Sequence, residues 1–398
     1  MTFVWGPPLL VLLVGTGIYL TIRLGLLQII RLPKAFKLIF AEDKGEGDIS
    51  SFAPLPQHLL QLLVLVILLV LRQPLRLVGP GALFWMWIAA FFGMATKYAE
   101  GLLAIKFRTL DDQGNVSGGP MYYITHGFSG KWQIIAKPLA YFFAFAGVLV
   151  AWLGIGTFSQ VNSITSSLQN SFGWSPKIVS VILALITAAI IFGGIQSISK
   201  VSEKVVPFMA GLYIIAALIV IFANFNQLLP VLEMVFQSAF TGKAAVGGFA
   251  GATVMAAMRL GIARGVFSNE SGLGSAPIAA AAAKTEEPVE QGLISMTGTF
   301  IDTIIICTLT GLAILVTGQW SGSLEGAPMT QAAFSSNFWN FWRTCSNTFF
   351  SLVCLYDCSR LVILWGTLFR IYFQIYQIPL ILSYYLCSYG RSWWLPNT

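Results

Sequence analysis

Long apolar runs separated by short polar stretches set the pattern of this chain. A helix that crosses the hydrocarbon core of a bilayer needs about 20 mostly apolar residues. Runs of that kind fall at 3–22, 82–106, 138–160, 177–196, 206–224, 245–283 and 290–318. Each predicts a membrane helix. The longest polar connection, 107–132, holds Asp111, Asp112, Gly114 and Asn115, then Ser117-Gly118-Gly119-Pro120. That run predicts a tight turn leading into an interfacial Tyr122-Tyr123 pair. A phosphate-binding loop would need a Lys and a Ser or Thr after its second glycine, and this one has neither.

Composition agrees with the pattern. Of 398 residues, 56% are hydrophobic and 10% charged, and the mean hydropathy is +0.77, whereas a water-soluble domain carries about a quarter charged residues. The fold class predicted is an all-α polytopic membrane protein. The net charge of +7 does not point to nucleic acid, because the basic residues are spread over alternate short loops, as membrane topology requires. Arg23, Arg31, Lys34, Lys37 and Lys44 share one loop, and Lys106, Arg108, Lys131 and Lys137 the next cytoplasmic one. Lys200, Lys204 and Lys284 follow, while the loops at 161–176 and 319–328 have no Lys or Arg. An external N-terminus satisfies every loop, provided that something spans the membrane between 51 and 78. With no basic residue before it and Arg23 after it, 3–22 reads as a first transmembrane helix and not as a secretory signal. The cysteines lie at 307, 345, 354, 358 and 387, and the only histidines are His58 and His126. No disulfide framework and no metal site are expected from that set.

The segment 245–283 differs from the other runs. Arg264, Asn269 and Glu270 stand there among Gly261, Gly265, Gly272 and Gly274. Each charge would cost about 2.5–3.5 kcal/mol facing lipid, so a continuous helix is not expected. Irregular backbone at membrane depth survives where it is buried in protein or lines a polar cavity, and secondary transporters build their midplane sites from such broken helices. Gly247 and Gly251, four apart, suit close helix packing.

Other polar residues inside apolar runs leave alternatives open. Gln160 and Asn162 either face a cavity or hydrogen-bond a neighbouring helix. Asp302, near Thr303, Thr308 and Thr310, is either a cation ligand or the partner of a buried Arg such as Arg264. Lys97 and Glu100, three apart, read as an intrahelical pair, and Arg259 can snorkel. No catalytic residues are expected: neither His lies beside a nucleophile motif, and Glu270 and Asp302 have no recognisable acid/base partner.

Four blocks carry a family resemblance. Gly79-Pro80-Gly81-Ala82-Leu83-Phe84-Trp85-Met86-Trp87, Phe92-Gly93-Met94-Ala95-Thr96-Lys97-Tyr98-Ala99-Glu100, Ser117-Gly118-Gly119-Pro120-Met121-Tyr122-Tyr123 and Gly265-Val266-Phe267-Ser268-Asn269-Glu270-Ser271-Gly272-Leu273-Gly274-Ser275-Ala276-Pro277 occur in this order. Together they resemble the alanine or glycine:cation symporter family, over 1–53 and about 79–338. The resemblance implies a LeuT-like inverted-repeat transporter fold in a prokaryotic plasma (inner) membrane, and sodium-driven uptake of alanine or glycine. It also implies two facing helix breaks around the substrate, the second of them at Phe267 to Gly274. On that basis Gln160, Phe267, Gly272, Leu273 and Gly274 are expected to contact substrate, and Ser268 and Asn269 the cation. Sodium is cargo, and no cofactor is expected.

The family's first-repeat motif, Gly-Thr-Gly-Asn, is missing; where it should stand, the Leu-rich run 57–71 appears. Joining each codon's third base to the next codon's first two, plausible codons for Leu63 to Ile67 give Gly-Thr-Gly-Asn. A pair of compensating frameshifts over about 54–78 is the reading that follows. After Phe334 the composition changes again, with Trp339, Trp342, Cys345, Cys354, Cys358, Trp365, Trp393 and Trp394. There each codon's last two bases with the next codon's first give, for Arg360 through Ile371, Gly-Trp-Ser-Tyr-Tyr-Gly-Glu-Arg-Cys-Phe-Glu-Tyr, a late-helix motif of the family. The domain organisation expected is one transmembrane transporter domain, 1–338, and an out-of-frame tail, 339–398, which leaves the fold C-terminally incomplete. The competing reading is a non-functional product of such a transporter gene.

Overall fold

A computed structural model of the protein describes residues 6–41, 45, 47, 49–52, 54, 79–110, 116–152, 161–162, 164–166, 168–169, 173–192, 194–241, 254–322 and 327–336. Of the frameshift readings, that of about 54–78 lies outside them from 55 on and that of 339–398 entirely, as do Gln160, Gly247 and Gly251.

The N-terminal helix α1 (Pro7–Arg23) starts on two prolines, which suit a first turn because its N–H groups lack partners anyway. It stops at a left-handed corner, Gly25 and Leu26. A short turn of helix, α2 (Leu27–Ile30), and α3 (Leu32–Ile39) follow. The helix α4 (Gly81–Lys106) is the hub of the bundle. A small antiparallel hairpin, β1 (Thr109–Leu110) and β2 (Val116–Ser117), leads into α5 (Pro120–Gly127). Gly119 turns the chain at φ +125° just before Pro120, so the Gly-Gly-Pro run is a tight loop. Then come α6 (Gln133–Trp152), α7 (Pro176–Phe192), α8 (Gly194–Ala223) and α9 (Leu228–Thr241).

The run after 245 is not one helix. Within it α10 (Val254–Asn269) ends, the chain unwinds over 270–275, and α11 (Ala276–Ala281) resumes. The last long run is α12 (Pro288–Thr299), a π-helical segment (Phe300–Cys307) and α13 (Thr308–Val316), followed by α14 (Ala327–Ser335). Among the described residues, Gly81–Lys106, Gly130–Val150, Val206–Ala223 and Pro288–Val316 are long and apolar enough to cross a membrane.

Three helices approach α4 through glycines, where a side chain would collide. A Cβ on Gly17 of α1 would lie 2.7 Å from the Phe92 carbonyl, one on Gly261 of α10 2.5 Å from that of Ala82, and one on Gly292 of α12 2.8 Å from that of Tyr98. Lipid supplies no hydrophobic drive between helices, so such close backbone packing takes its place. The outer helices turn large apolar side chains away from the bundle, Ile134, Phe142 and Phe145 on α6 and Phe208, Ile215 and Phe222 on α8. In water such a surface would aggregate, whereas lipid accepts it.

Candidate functional site

The unwound stretch is built by its own sequence. Glu270, Gly272 and Gly274 have φ of +53°, +84° and +78°, a region that costs an L-residue about 1–2 kcal/mol and glycine almost nothing. Pro277 then stands in the first turn of α11, where its missing N–H is harmless. Phe267, Ser268 and Asn269 stay helical, so the break opens at Glu270, three residues later than the motif suggested. The Glu270 N–H still donates to the Val266 carbonyl at 2.9 Å, and this bond carries the helix through Asn269.

The polar residues of the break are tied to one another and to their neighbours. The Ser271 N–H donates to Asn269 Oδ1 at 3.1 Å, and the Ser271 hydroxyl bonds that of Thr299 at 3.2 Å. Ser275 Oγ donates to Glu270 Oε2 at 2.7 Å. Gly274 is buried beneath the Phe143 ring and Pro120, whereas Gly272 and Leu273 are the exposed residues of the stretch.

Opposite the last turn of α10 lies the π-helical segment. Such segments widen a helix by one residue per turn and recur at functional sites. This one presents Asp302 and Thr303, both fully buried. Asp302 Oδ2 accepts from Ser268 Oγ at 2.8 Å and from Thr303 Oγ1 at 2.7 Å. Asn269 Nδ2 donates to Thr303 Oγ1 at 3.2 Å, and Cys307 Sγ lies 3.5 Å from Ser268 Oγ. Asp302 Oδ1 has no hydrogen-bond partner. The alternative that Asp302 neutralises Arg264 is therefore set aside: its hydrogen bonds come from hydroxyls, the positive charge that acts on it is that of Lys97, and one carboxylate oxygen stays open. A buried charge is stable only when paired or bound to a cation, so this group of oxygens suits a small hard cation.

A second cluster joins α4 to the break. Lys97 Nζ donates to the carbonyls of Asn269 at 3.1 Å and Glu270 at 3.5 Å, and Glu100 Oε1 accepts the Gly274 N–H at 3.2 Å. The intrahelical reading of Lys97 and Glu100 missed both cross-helix contacts. Spacing alone could not have shown them, since i, i+3 neighbours on a helix suit a local pair equally well.

The residues expected at the site are distributed as follows. Ser268 and Asn269 are fully buried and meet Asp302 and Thr303. Gly272, Leu273 and Gly274 form the unwound stretch, and Phe267 is half-buried, packed against the main apolar cluster. Gln160 lies outside the described residues.

The model of the sodium:alanine symporter family matches residues 1–365. An uncharacterized transporter of Haemophilus influenzae is 50% identical over 336 residues, 84% of this chain and 72% of that protein. The sodium/alanine symporter AgcS of Methanococcus maripaludis is 48% identical over 344 residues, 84% of this chain and 74% of AgcS. A solved manganese transporter mutant of Eremococcus coleocola aligns over 88% of this chain and 76% of its own at 13% identity, with a TM-score of 0.45. That last likeness is too loose to bear on the fold.

Proposed function

We propose that this chain, which belongs to the sodium:alanine symporter family, takes up a small neutral amino acid, alanine or glycine, with sodium across a prokaryotic plasma membrane. Families of this kind are transporters, not enzymes. The observation that carries the reading is the unwound stretch 270–275 with the half-open carboxylate of Asp302 beside it. A helix that stops at membrane depth exposes backbone groups, and those groups can read a charged substrate and coordinate a cation.

In this reading the exposed Gly272 and Leu273, with Gly274 beneath them, face the amino acid, and Phe267 walls the pocket with Gln160 from the third long run. Ser268 and Asn269 belong to the cation side, and Asp302 joins them as the charged ligand. Hard monovalent cations favour oxygen, and the Ser268, Thr303 and Asp302 oxygens converge there. A pocket closed by glycine backbone would exclude larger amino acids by clash. A LeuT-like inverted repeat is what the family resemblance implies, and 55–78, where its first break would be expected, lies outside the described residues.

The test is uptake of radiolabelled alanine into proteoliposomes with and without an inward sodium gradient. A gradient-dependent signal supports symport, and equal uptake in both defeats the coupling. The frame readings of 54–78 and 339–398 are tested by resequencing the gene together with intact-mass measurement of the expressed protein. A clean in-frame gene encoding Leu62 to Leu71 as written removes them, and with them the reading of a non-functional product.

A further inference from the structure

Three residues of α4, Gly93, Lys97 and Glu100, follow the spacing i, i+4, i+7 and so lie on one stripe of the helix. All three face the end of α10 and the unwound stretch. A Cβ on Gly93 would sit 3.0 Å from Ser271 Oγ, Lys97 Nζ reaches the Asn269 and Glu270 carbonyls, and Glu100 Oε1 holds the Gly274 N–H. Lys97 is 1% exposed and Glu100 7%. One turn of α4 thus spans the whole break, with a cation on carbonyls at the lip where α10 ends and an anion on an amide near the lip where α11 begins.

We propose that Lys97 and Glu100 are positioning residues that act as an internal zwitterion, holding the unwound stretch in its open form when no amino acid is bound. An amino acid carries an ammonium and a carboxylate, and α4 supplies the same pair of charges to the backbone from behind. The carbonyls of 269 and 270 and the amide of 274 are in this way occupied by the protein on the α4 side. The substrate meets a stretch that is already shaped, on its other side, where Gly272 and Leu273 are exposed. The cost of ordering six residues is then met before binding, which raises the fraction of molecules competent to bind. Glu100 Oε2 has no hydrogen-bond partner, and the Lys97 charge and the Gly272 amide act on the same carboxylate. The consequence for transport rests on the symport reading, while the clamp itself does not.

The experiment is hydrogen exchange by mass spectrometry on the full chain in lipid nanodiscs, following peptides over 269–276, without amino acid and with added alanine. Glu100→Ala removes the acceptor, and its exchange over 269–276 rises about tenfold, the size expected for one lost hydrogen bond to a charged group, with α12 unchanged. Glu100→Gln keeps an acceptor oxygen and retains protection within about threefold. Lys97→Met frees the carbonyl lip and speeds the same peptides, and Lys97→Arg restores protection.

Sodium-driven alanine uptake separates this role from others. Glu100→Ala raises the KM more than it lowers the maximal rate, and Glu100→Gln recovers most of the lost KM. Unchanged exchange in Glu100→Ala and Lys97→Met overturns the clamp, whatever the uptake. Loss of uptake in Glu100→Gln with protection intact overturns the link from clamp to substrate affinity, because the charge would then serve an ion and not the backbone. Should Glu100→Ala not fold, Glu100→Gln and the two Lys97 variants decide by the same criteria. Altered exchange with no alanine uptake by the unmodified chain leaves the clamp standing and removes the symport reading instead.

Discussion

Replacing Gly274 with alanine puts the geometry of the break to a quantitative test. The residue has φ of +78°, so any side chain costs about 1–2 kcal/mol from backbone sterics alone. The added Cβ would also stand 2.7 and 2.8 Å from carbons of the Phe143 ring and 3.0 Å from Pro120 Cγ. Overfilling a packed site of this kind costs about 1–3 kcal/mol. The two contributions act in the same residue, giving about 2–5 kcal/mol against the native shape of the stretch. If that shape is the one that binds substrate, apparent affinity falls by at least about 25-fold, at 1.4 kcal/mol per factor of ten. The assay is the KM for alanine in proteoliposomes, compared with Phe143→Ala and with the double variant. Shortening Phe143 removes the collision but not the backbone cost, so the double variant should recover to within roughly 5- to 30-fold of Phe143→Ala. A Gly274→Ala protein with unaltered KM refutes the reasoning. So does a double variant that recovers nothing, because the Phe143 contact would then be irrelevant.

Three further outcomes are expected. Asp302→Ala removes the half-open carboxylate and raises the sodium concentration for half-maximal uptake by about tenfold or more, whereas an unshifted sodium curve takes Asp302 out of the cation site. Gly261→Leu drives a side chain into the Ala82 carbonyl, 2.5 Å from where its Cβ would stand, and should separate α10 from α4. The readout is loss of the monodisperse peak in detergent, and a variant that runs as the parent does shows the approach to be slack. Arg108 donates to the carbonyls of Ala281, Ala283 and Thr285 at 3.0, 2.7 and 2.8 Å. Arg108→Ala should lower stability by about 1.5–3 kcal/mol, Arg108→Lys should recover only part of it for want of the guanidinium fork, and equal thermal shifts for the two would contradict that.

The membrane character of the chain and the existence of the break were legible in the sequence for the same physical reason. Hydrocarbon penalises charge and unpaired backbone so heavily that Asn269 and Glu270 among glycines favoured a break over glycines serving helix packing alone. Where the break opens was less legible, because Ser268 and Asn269 satisfy their side chains across to Thr303 and Asp302 and so remain helical. The fate of Asp302 was not legible at all. Arg264 and Asp302 are opposite charges in neighbouring runs, and a sequence holds no distance between them. Lys97 and Glu100 were legible in part: the two charges do act on each other along α4, but that spacing explains itself locally, so nothing pointed across to α10. Thr299, Thr303 and Thr310, recurring through one apolar run, were the available hint that this helix carries a polar face.

The π-helical segment has a consequence for what this gene can tolerate. Ahead of it, α12 lays Gly292 against α4; behind it, α13 offers Thr308 to the Trp87 indole at 2.8 Å and Thr310 to the Tyr213 hydroxyl. The wide turns set the rotation between these two faces. Deleting one residue from 300–307 would turn everything after it by about 100° and draw it back by about 1.5 Å, carrying both threonines off their partners while leaving Gly292 in place. The half-buried Ile304 and Ile305 can therefore exchange for apolar residues of similar size, but the number of residues between Gly292 and Thr310 cannot change. Selection on this stretch should be read as a constraint on length before it is read as a constraint on identity.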